Sequence, residues 1–186
     1  LGAYAIARME FKGRDTLLAA STSLMAVPPV VMIVPLFILY TQLSLISTYS
    51  GAIIIYAGLV TPFSVYLLTT FFRTLPMELF ESARIDGANH VDVLLKIVLP
   101  LSLPPVLTLV VVNSLYVWND LLIAIIFLND DEKRTLMAGI SVFQGRYNNR
   151  IPLTMAGMVL ATAPMVILYV SFQKYFVRGL MAGAIK

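Results

Sequence analysis

Long apolar stretches alternate with short polar segments along this chain of 186 residues. Charged side chains are absent from residues 16–72, 97–119 and 151–173, which are stretches of 57, 23 and 23 residues. A helix needs about 20 apolar residues to cross the hydrocarbon core of a membrane. The pattern therefore predicts a polytopic membrane protein of the all-α class.

Four complete membrane spans are predicted, at about residues 16–41, 51–72, 100–128 and 153–177. Residues 1–8 are also apolar, and we interpret them as the end of an earlier span in an N-terminally truncated sequence. The whole chain, 1–186, is predicted to form a single transmembrane domain.

Prolines interrupt the apolar sequence of the first two predicted spans. Pro28, Pro29 and Pro35 fall in the first span, and Pro62 falls in the second. In a membrane helix, neighbouring helices and hydroxyl side chains satisfy the carbonyls that a proline leaves unpaired. These prolines are therefore predicted to kink their helices.

Composition excludes several classes of protein. The chain is 59% hydrophobic and 12% charged, whereas soluble domains have about 25% charged residues. A soluble globule, a disordered tail and a nucleic-acid-binding domain are thereby excluded. There is no cysteine and one histidine, His90, which we interpret as a solvated loop residue. No metal site, phosphate-binding loop or catalytic motif is found, so the chain is not predicted to be an enzyme.

The distribution of lysine and arginine predicts the orientation in the membrane. The segments around residues 8–15, 73–99 and 174–186 carry nine basic residues, and the segment 129–151 carries four. Because cytoplasmic loops are enriched in basic residues, the first three segments are predicted to be cytoplasmic. The C-terminus is then also cytoplasmic.

Segment 73–99 is predicted to contain two short helices joined by a tight turn. Pro76 is suited to the start of a helix, and Glu78 and Glu81 lie near the positive end of its dipole. Gly87 stands where a helix end favours a positive φ. A second helical stretch follows from about Val91 to Leu99.

The residue spacing in this segment resembles a known motif. Glu81-Ser82-Ala83 is followed after three residues by Gly87, and after nine more by Ile97-Val98-Leu99-Pro100. This resembles the EAA loop of binding-protein-dependent ABC importer permeases, with Ser82 in place of the middle alanine. Further similarity to carbohydrate permeases of the maltose/glycerol-phosphate type is found at Pro35-Leu36-Phe37, Pro76-x-Glu78-Leu79, Ile85-Asp86-Gly87-Ala88, Trp118-Asn119-Asp120 and Gly179-Leu180-x-Ala182-Gly183-Ala184.

The resemblance implies a type I ABC importer transmembrane domain with 73–99 as its coupling loop. It implies as partners a second permease subunit, two ATPase subunits that bind ATP and Mg, an extracytoplasmic solute-binding protein and a sugar substrate. No cofactor is expected in this chain. Family members have six spans, so the first and most of the second would lie outside it. The residues expected to contact the ATPase are Glu81, Ser82, Ala83, Asp86, Gly87 and Ala88.

Polar residues within the third span are candidates for the substrate path, because polar side chains at membrane depth are generally functional. They are Asn113, Tyr116, Trp118, Asn119 and Asp120. Trp118 and Asp120 have the alternative interpretation of an interfacial anchor and a hydrated carboxylate. The outer loop carries candidates for contact with a binding protein, namely Phe143, Gln144, Tyr147 and Asn148, with a merely solvated loop as the alternative.

Other functions remain as alternatives. The motif alone does not exclude an ABC permease for amino acids, phosphate or peptides. An ion-coupled secondary transporter normally has several intramembrane acids, and here only Asp120 qualifies. A DNA-binding helix-turn-helix is disfavoured because residues 74–99 have two basic and four acidic side chains, whereas phosphate binding requires clustered positive charge.

Overall fold

The computed structural model describes the backbone of residues 1–143 and 150–182, and the side chains of residues 1–143 and 150–173. Within these ranges the regular structure is helical. The α-helices are α1 (Gly2–Arg8), α2 (Arg14–Leu24), α3 (Pro29–Gln42), α4 (Tyr49–Thr74), α5 (Met77–Ile85), α6 (His90–Val93), α7 (Leu99–Leu101), α8 (Leu103–Asn119), α9 (Leu122–Phe127), α10 (Leu136–Ser141) and α11 (Ile151–Ala182). A π-helical turn, Leu94–Val98, joins α6 to α7, and a 3₁₀ turn covers Asp131–Lys133.

Two described helices are long and apolar enough to cross a membrane unaided: Tyr49–Thr74 and Ile151–Gln173. They correspond to the predicted spans 51–72 and 153–177. Two further spans exist if each of two interrupted helix pairs is counted as one. The first pair is α2 with α3, and the second joins the stretch His90–Leu101 to α8.

The stretches 16–41 and 100–128, each predicted as one span, are both interrupted in the structure. Pro28 caps α3 and Pro29 is its first residue, so these two prolines separate two helices where we predicted a kink. Pro35 and Pro62 do lie inside continuous helices. In the third predicted span the helix ends at Asn119 and restarts at Leu122.

The described helices pack as two units, of which the first contains residues 1–26, 61–111 and 172–182. Its core unites α1, the end of α4 and the two helical stretches that follow. The buried residues are Ala3, Tyr4, Phe72, Phe80, Ala83, Val93, Leu94 and Val98. Burying one large side chain such as Phe80 contributes about 1.5–3 kcal/mol. The predicted cytoplasmic segment is therefore an integral part of this core.

The second unit contains residues 27–60 and 112–171. Its core is formed by α3, the first half of α4 and α9. The buried residues are Tyr40, Ala52, Ile55, Tyr56, Ile123, Phe127 and Leu128. Phe127 contacts Tyr40 edge to face, with the ring centroids 5.4 Å apart, an arrangement that aromatic pairs favour.

A buried serine ties two turns of the second unit together. The Ser47 hydroxyl accepts hydrogen bonds from the backbone N–H groups of Asn129 and Asp130, both at 3.2 Å. Lys133 Nζ donates to the Ser47 carbonyl at 2.8 Å. Ser47 has a φ of +53°, a conformation that non-glycine residues hold only when their surroundings enforce it. The turn before α4 is therefore fastened to the turn after α9.

Candidate functional site

Helix α5, in the first unit, carries most of the motif residues and has one buried and one exposed face. Pro76 is its N-cap, and Glu78 lies in the first turn, where the helix dipole stabilises a carboxylate. Phe80 and Ala83, three residues apart, point into the core. This places the opposite face of α5 outward.

Gly87 ends α5 as the sequence predicts. Its φ is +78°, and its N–H donates to the Arg84 carbonyl at 3.0 Å. The Ala88 N–H donates to the Ala83 carbonyl at 2.9 Å. These two bonds form a Schellman motif, which satisfies carbonyls at a helix end and requires the left-handed conformation at the glycine position. The turn is therefore well defined and specific for glycine.

Asn89 starts the second helical stretch immediately after this turn. Its side-chain oxygen accepts from the N–H groups of Val91 and Asp92, at 2.9 and 3.0 Å. Our sequence analysis missed this N-cap, although asparagine directly before an apolar run is a typical signal. One turn on, Lys96 Nζ lies 2.6 Å from the Asp92 carboxylate, and this hydrogen bond lowers the pKa of Asp92.

The residues expected to contact the ATPase are divided between the two faces. Glu81, Ser82, Asp86 and Gly87 are exposed, Ala88 is half-buried, and Ala83 is 6% exposed inside the core. Ala83 thus meets the chain's own core, where a larger side chain would compete with Phe80 and its neighbours for space.

One exposed apolar residue was missed by the sequence analysis. Ile85 is 85% exposed and lies on α5 next to Asp86. Apolar residues at helix ends are common, so the sequence contained no signal of its exposure. We call the exposed set Glu81, Ser82, Ile85 and Asp86 the outer face of α5.

A corner follows the second helical stretch. The stretch His90–Leu101 and helix α8 meet at an angle of 73°. We predicted that Pro100 separates the loop from the span, but the corner lies at Ser102. The π turn explains the difference: the Leu99 N–H donates to the Leu94 carbonyl, and this wider ladder accommodates a proline that lacks an N–H. Ser102 is fully buried and its hydroxyl donates to the Val98 carbonyl.

Asp120 organises the break in the third predicted span, within the second unit. Its Oδ2 accepts hydrogen bonds from the N–H groups of Ile123 and Ala124, at 3.0 and 3.1 Å. The same oxygen accepts from the Tyr56 hydroxyl at 2.9 Å. Asp120 therefore caps α9 and connects it to α4. This contact set differs from the hydrated carboxylate that the sequence allowed.

The other candidates for the substrate path have different environments. The Trp118 indole N–H donates to the Ala161 carbonyl at 3.0 Å, which links α8 to α11 one turn before Pro164. The Asn119 amide donates to the Leu115 carbonyl of its own helix at 2.8 Å. Tyr116 is 44% exposed and Asn113 is half-buried.

Of the four outer-loop candidates, one lies within the described residues. Phe143 is half-buried and follows α10, whereas Gln144, Tyr147 and Asn148 lie outside the described residues. Among the residues that the structure describes, no group of three or more His, Asp or Glu side chains is placed to hold a metal ion. His90, predicted to be solvated, is exposed, and its Nδ1 lies 3.4 Å from the Tyr4 hydroxyl oxygen.

Comparison with known proteins gives consistent matches. The family described as binding-protein-dependent transport system inner membrane component matches residues 1–182. The chain is 37% identical to the melibiose/raffinose/stachyose import permease of Bacillus subtilis, over all of this chain and 68% of that protein. It is also 37% identical to the trehalose/maltose transport system permease of Thermococcus litoralis, over all of this chain and 67% of that protein.

A solved structure has the same fold. The chain superimposes on a chain of a bacterial ABC transporter involved in the import of the acidic polysaccharide alginate with a TM-score of 0.77. The two are 24% identical, and the match covers 94% of this chain and 66% of the other. The two chains therefore share their helical fold.

Proposed function

Since this chain belongs to the family of binding-protein-dependent transport system inner membrane components, we propose that it is the permease subunit of an ATP-driven sugar importer. The observation that carries the proposal is the α5–turn–α6 unit, whose motif residues form an outward face on a rigid base. The relatives named for melibiose, raffinose, stachyose, trehalose and maltose support a sugar as the solute.

The proposed partners are the other subunits that such a transporter requires. Two separate ATPase subunits bind ATP and Mg, a second permease subunit completes the pathway, and a solute-binding protein delivers the sugar from outside. The outer face of α5 docks into an ATPase subunit from the cytoplasm. No bond in the solute is made or broken, so this chain is a transport subunit and not an enzyme.

The packing of the loop supports a mechanical role. The buried face of α5 shares its core with α1, the end of α4 and residues 93–98. Protein cores are close-packed and deform little. A displacement of α5 by the closing ATPase dimer is therefore passed to these helices rather than absorbed by the loop. Alternating access at the membrane is the proposed result.

We assign the candidates in the third span to two roles. Asp120, Trp118 and Asn119 bond to the chain's own backbone or to Tyr56, which supports a structural role for them. Tyr116 presents a hydroxyl on an exposed part of α8, and Asn113 lies one turn earlier. We propose that Tyr116 and Asn113 face the solute.

Uptake into proteoliposomes tests the function. The transporter, assembled with its ATPase subunits, second permease and binding protein, is expected to accumulate a radiolabelled α-galactoside or α-glucoside only when ATP is supplied. Losing one hydrogen bond to the solute costs about 1 kcal/mol, so Tyr116→Leu should lower uptake roughly fivefold to tenfold. Val110→Leu, at an exposed apolar residue of the same helix, is the matched control.

Three outcomes would contradict the proposal. ATP-dependent uptake of an amino acid, peptide or phosphate without sugar uptake would replace the solute class. Uptake driven by an ion gradient without ATP would identify a secondary transporter. Unchanged sugar uptake in both Tyr116→Leu and Asn113→Leu would remove these residues from the solute path.

A further inference from the structure

Arg8, at the end of α1, lies at the junction between α4 and α5. Its Nε donates to the Phe72 carbonyl at 3.0 Å, and its Nη2 donates to the carbonyls of Phe72 and Leu75. Phe72 lies in the last turn of α4 and Leu75 directly follows the helix. Carbonyls at a helix end lack the usual backbone partner four residues on, and the Phe72 carbonyl has only the Leu75 N–H, at 3.3 Å, beside the Arg8 guanidinium. A cation is also favoured at this end of the helix dipole.

The same guanidinium also contacts helix α5. It lies over the Phe80 ring, 4.2 Å from the ring centroid, and its Nη1 is 3.7 Å from the Met77 sulfur. A planar guanidinium can stack on a ring while its edge donates to carbonyls, and a lysine ammonium cannot do both in this way. Arg8 therefore holds the end of α4 and helix α5 to α1 at the same time.

A second residue of α1 contacts the second helical stretch of the loop. Tyr4 lies edge to face with His90, with the ring centroids 6.3 Å apart, and with Phe72 at 6.4 Å. Its hydroxyl is 3.4 Å from His90 Nδ1. Helix α1 is thus attached to both sides of the turn at Gly87, through Arg8 on one side and Tyr4 on the other.

We infer that Arg8 is a positioning residue that passes the movement of α5 to α1, so that α1 is a helix through which the ATPase drives the membrane part. This inference rests on the proposed function. Arg8 lies outside the motif, and the short apolar sequence of α1 gives no indication of such a role. In this scheme Arg8 contacts neither ATP nor solute, and its loss uncouples hydrolysis from uptake.

The test is the number of ATP molecules hydrolysed per solute imported by the assembled transporter in proteoliposomes. Arg8→Gln is expected to lower uptake about tenfold while binding-protein-stimulated hydrolysis stays within twofold, so the ratio rises. Phe80→Leu, which removes the ring under the guanidinium, is expected to raise the ratio severalfold, and Phe80→Tyr, which keeps a ring there, should leave it unchanged. Arg14→Gln, at an arginine of the same polar segment that pairs with Asp15, is the matched control.

The double variant separates coupling from simple damage. Because Arg8 and Phe80 act through one contact, Arg8→Gln with Phe80→Leu should raise the ratio no further than Arg8→Gln alone. Arg8→Lys keeps the positive charge and serves as the test if Arg8→Gln does not assemble. It should give a ratio of ATP hydrolysed to solute imported between those of the wild type and Arg8→Gln. The inference would be overturned if the number of ATP molecules hydrolysed per imported solute stays at the wild-type value, whether or not uptake and hydrolysis both fall. A wild-type assembly that imports nothing with ATP is a different result, which overturns the proposed function and this inference with it.

Discussion

Gly87→Val is expected to lower solute uptake by at least about tenfold in the assembled transporter. The Gly87 φ of +78° costs a non-glycine residue roughly 1–2 kcal/mol, and more when the side chain is β-branched. A Cβ at this position would meet nothing within 4 Å, so the cost is backbone strain and not a clash. The strained turn releases the two Schellman hydrogen bonds, and the outer face of α5 loses its orientation.

Gly87→Asn is the matched control, since asparagine tolerates the left-handed conformation better than other non-glycine residues. It adds a side chain of similar bulk at the same exposed place and should retain most of the uptake. Co-purification of the ATPase subunits with each variant is measured alongside uptake. Equal uptake by Gly87→Val and the wild type would show that the turn does not transmit motion.

Asp120→Leu is expected to lower the free energy of unfolding by about 2–4 kcal/mol. The leucine removes the side-chain oxygen that accepts from two N–H groups in the first turn of α9, a capping interaction worth about 0.5–2 kcal/mol. It also leaves the Tyr56 hydroxyl, which donates to Asp120, without its acceptor on a buried side chain, at a cost of about 1–3 kcal/mol. Thermal unfolding of the purified protein in detergent measures the loss.

Two variants separate this structural role from a direct action on the solute. Asp120→Asn keeps a side-chain oxygen for the N–H groups of Ile123 and Ala124 and should cost less than about 1 kcal/mol. Uptake by this variant should remain close to that of the wild type. Tyr56→Phe should lose about 1 kcal/mol, the value of one hydrogen bond. Full stability but no uptake in Asp120→Asn would mean that the negative charge acts on the solute.

Some features of the fold follow directly from local sequence. The helical class, the continuous helices α4 and α11 and the turn at Gly87 were predicted, because apolar length and a glycine at a helix end are local signals. The motif spacing around Gly87 is specific enough to predict the family, and the family match over residues 1–182 confirms that prediction. The orientation in the membrane and the roles of the individual site residues remain predictions.

Other features depend on contacts between distant residues and could not be predicted. Asp120 lies within one long apolar run, so nothing local distinguishes a capped break from a continuous span, and its partner Tyr56 is 64 residues away. Local sequence identifies Arg8 only as one basic residue of the segment around 8–15, because its contacts with Phe72 and Phe80 exist only once α1 packs on the end of α4. The buried position of Ala83 likewise depends on which face of α5 meets the core.

The central claim is that an ATPase subunit binds the outer face of α5. Because the chain has no cysteine, Ser82→Cys introduces a single, nearly isosteric thiol on that face, and Ser50→Cys introduces one at an exposed serine near the start of α4. A second cysteine is placed in the docking cleft of the ATPase subunit. Mild oxidation of membranes that contain the transporter then shows whether the permease thiol and the ATPase thiol lie close enough to form a disulfide. We predict a cross-linked permease–ATPase product with Ser82→Cys, sensitive to reductant, and none with Ser50→Cys. An assembled, active transporter that cross-links equally at both positions, or at neither, would contradict the account.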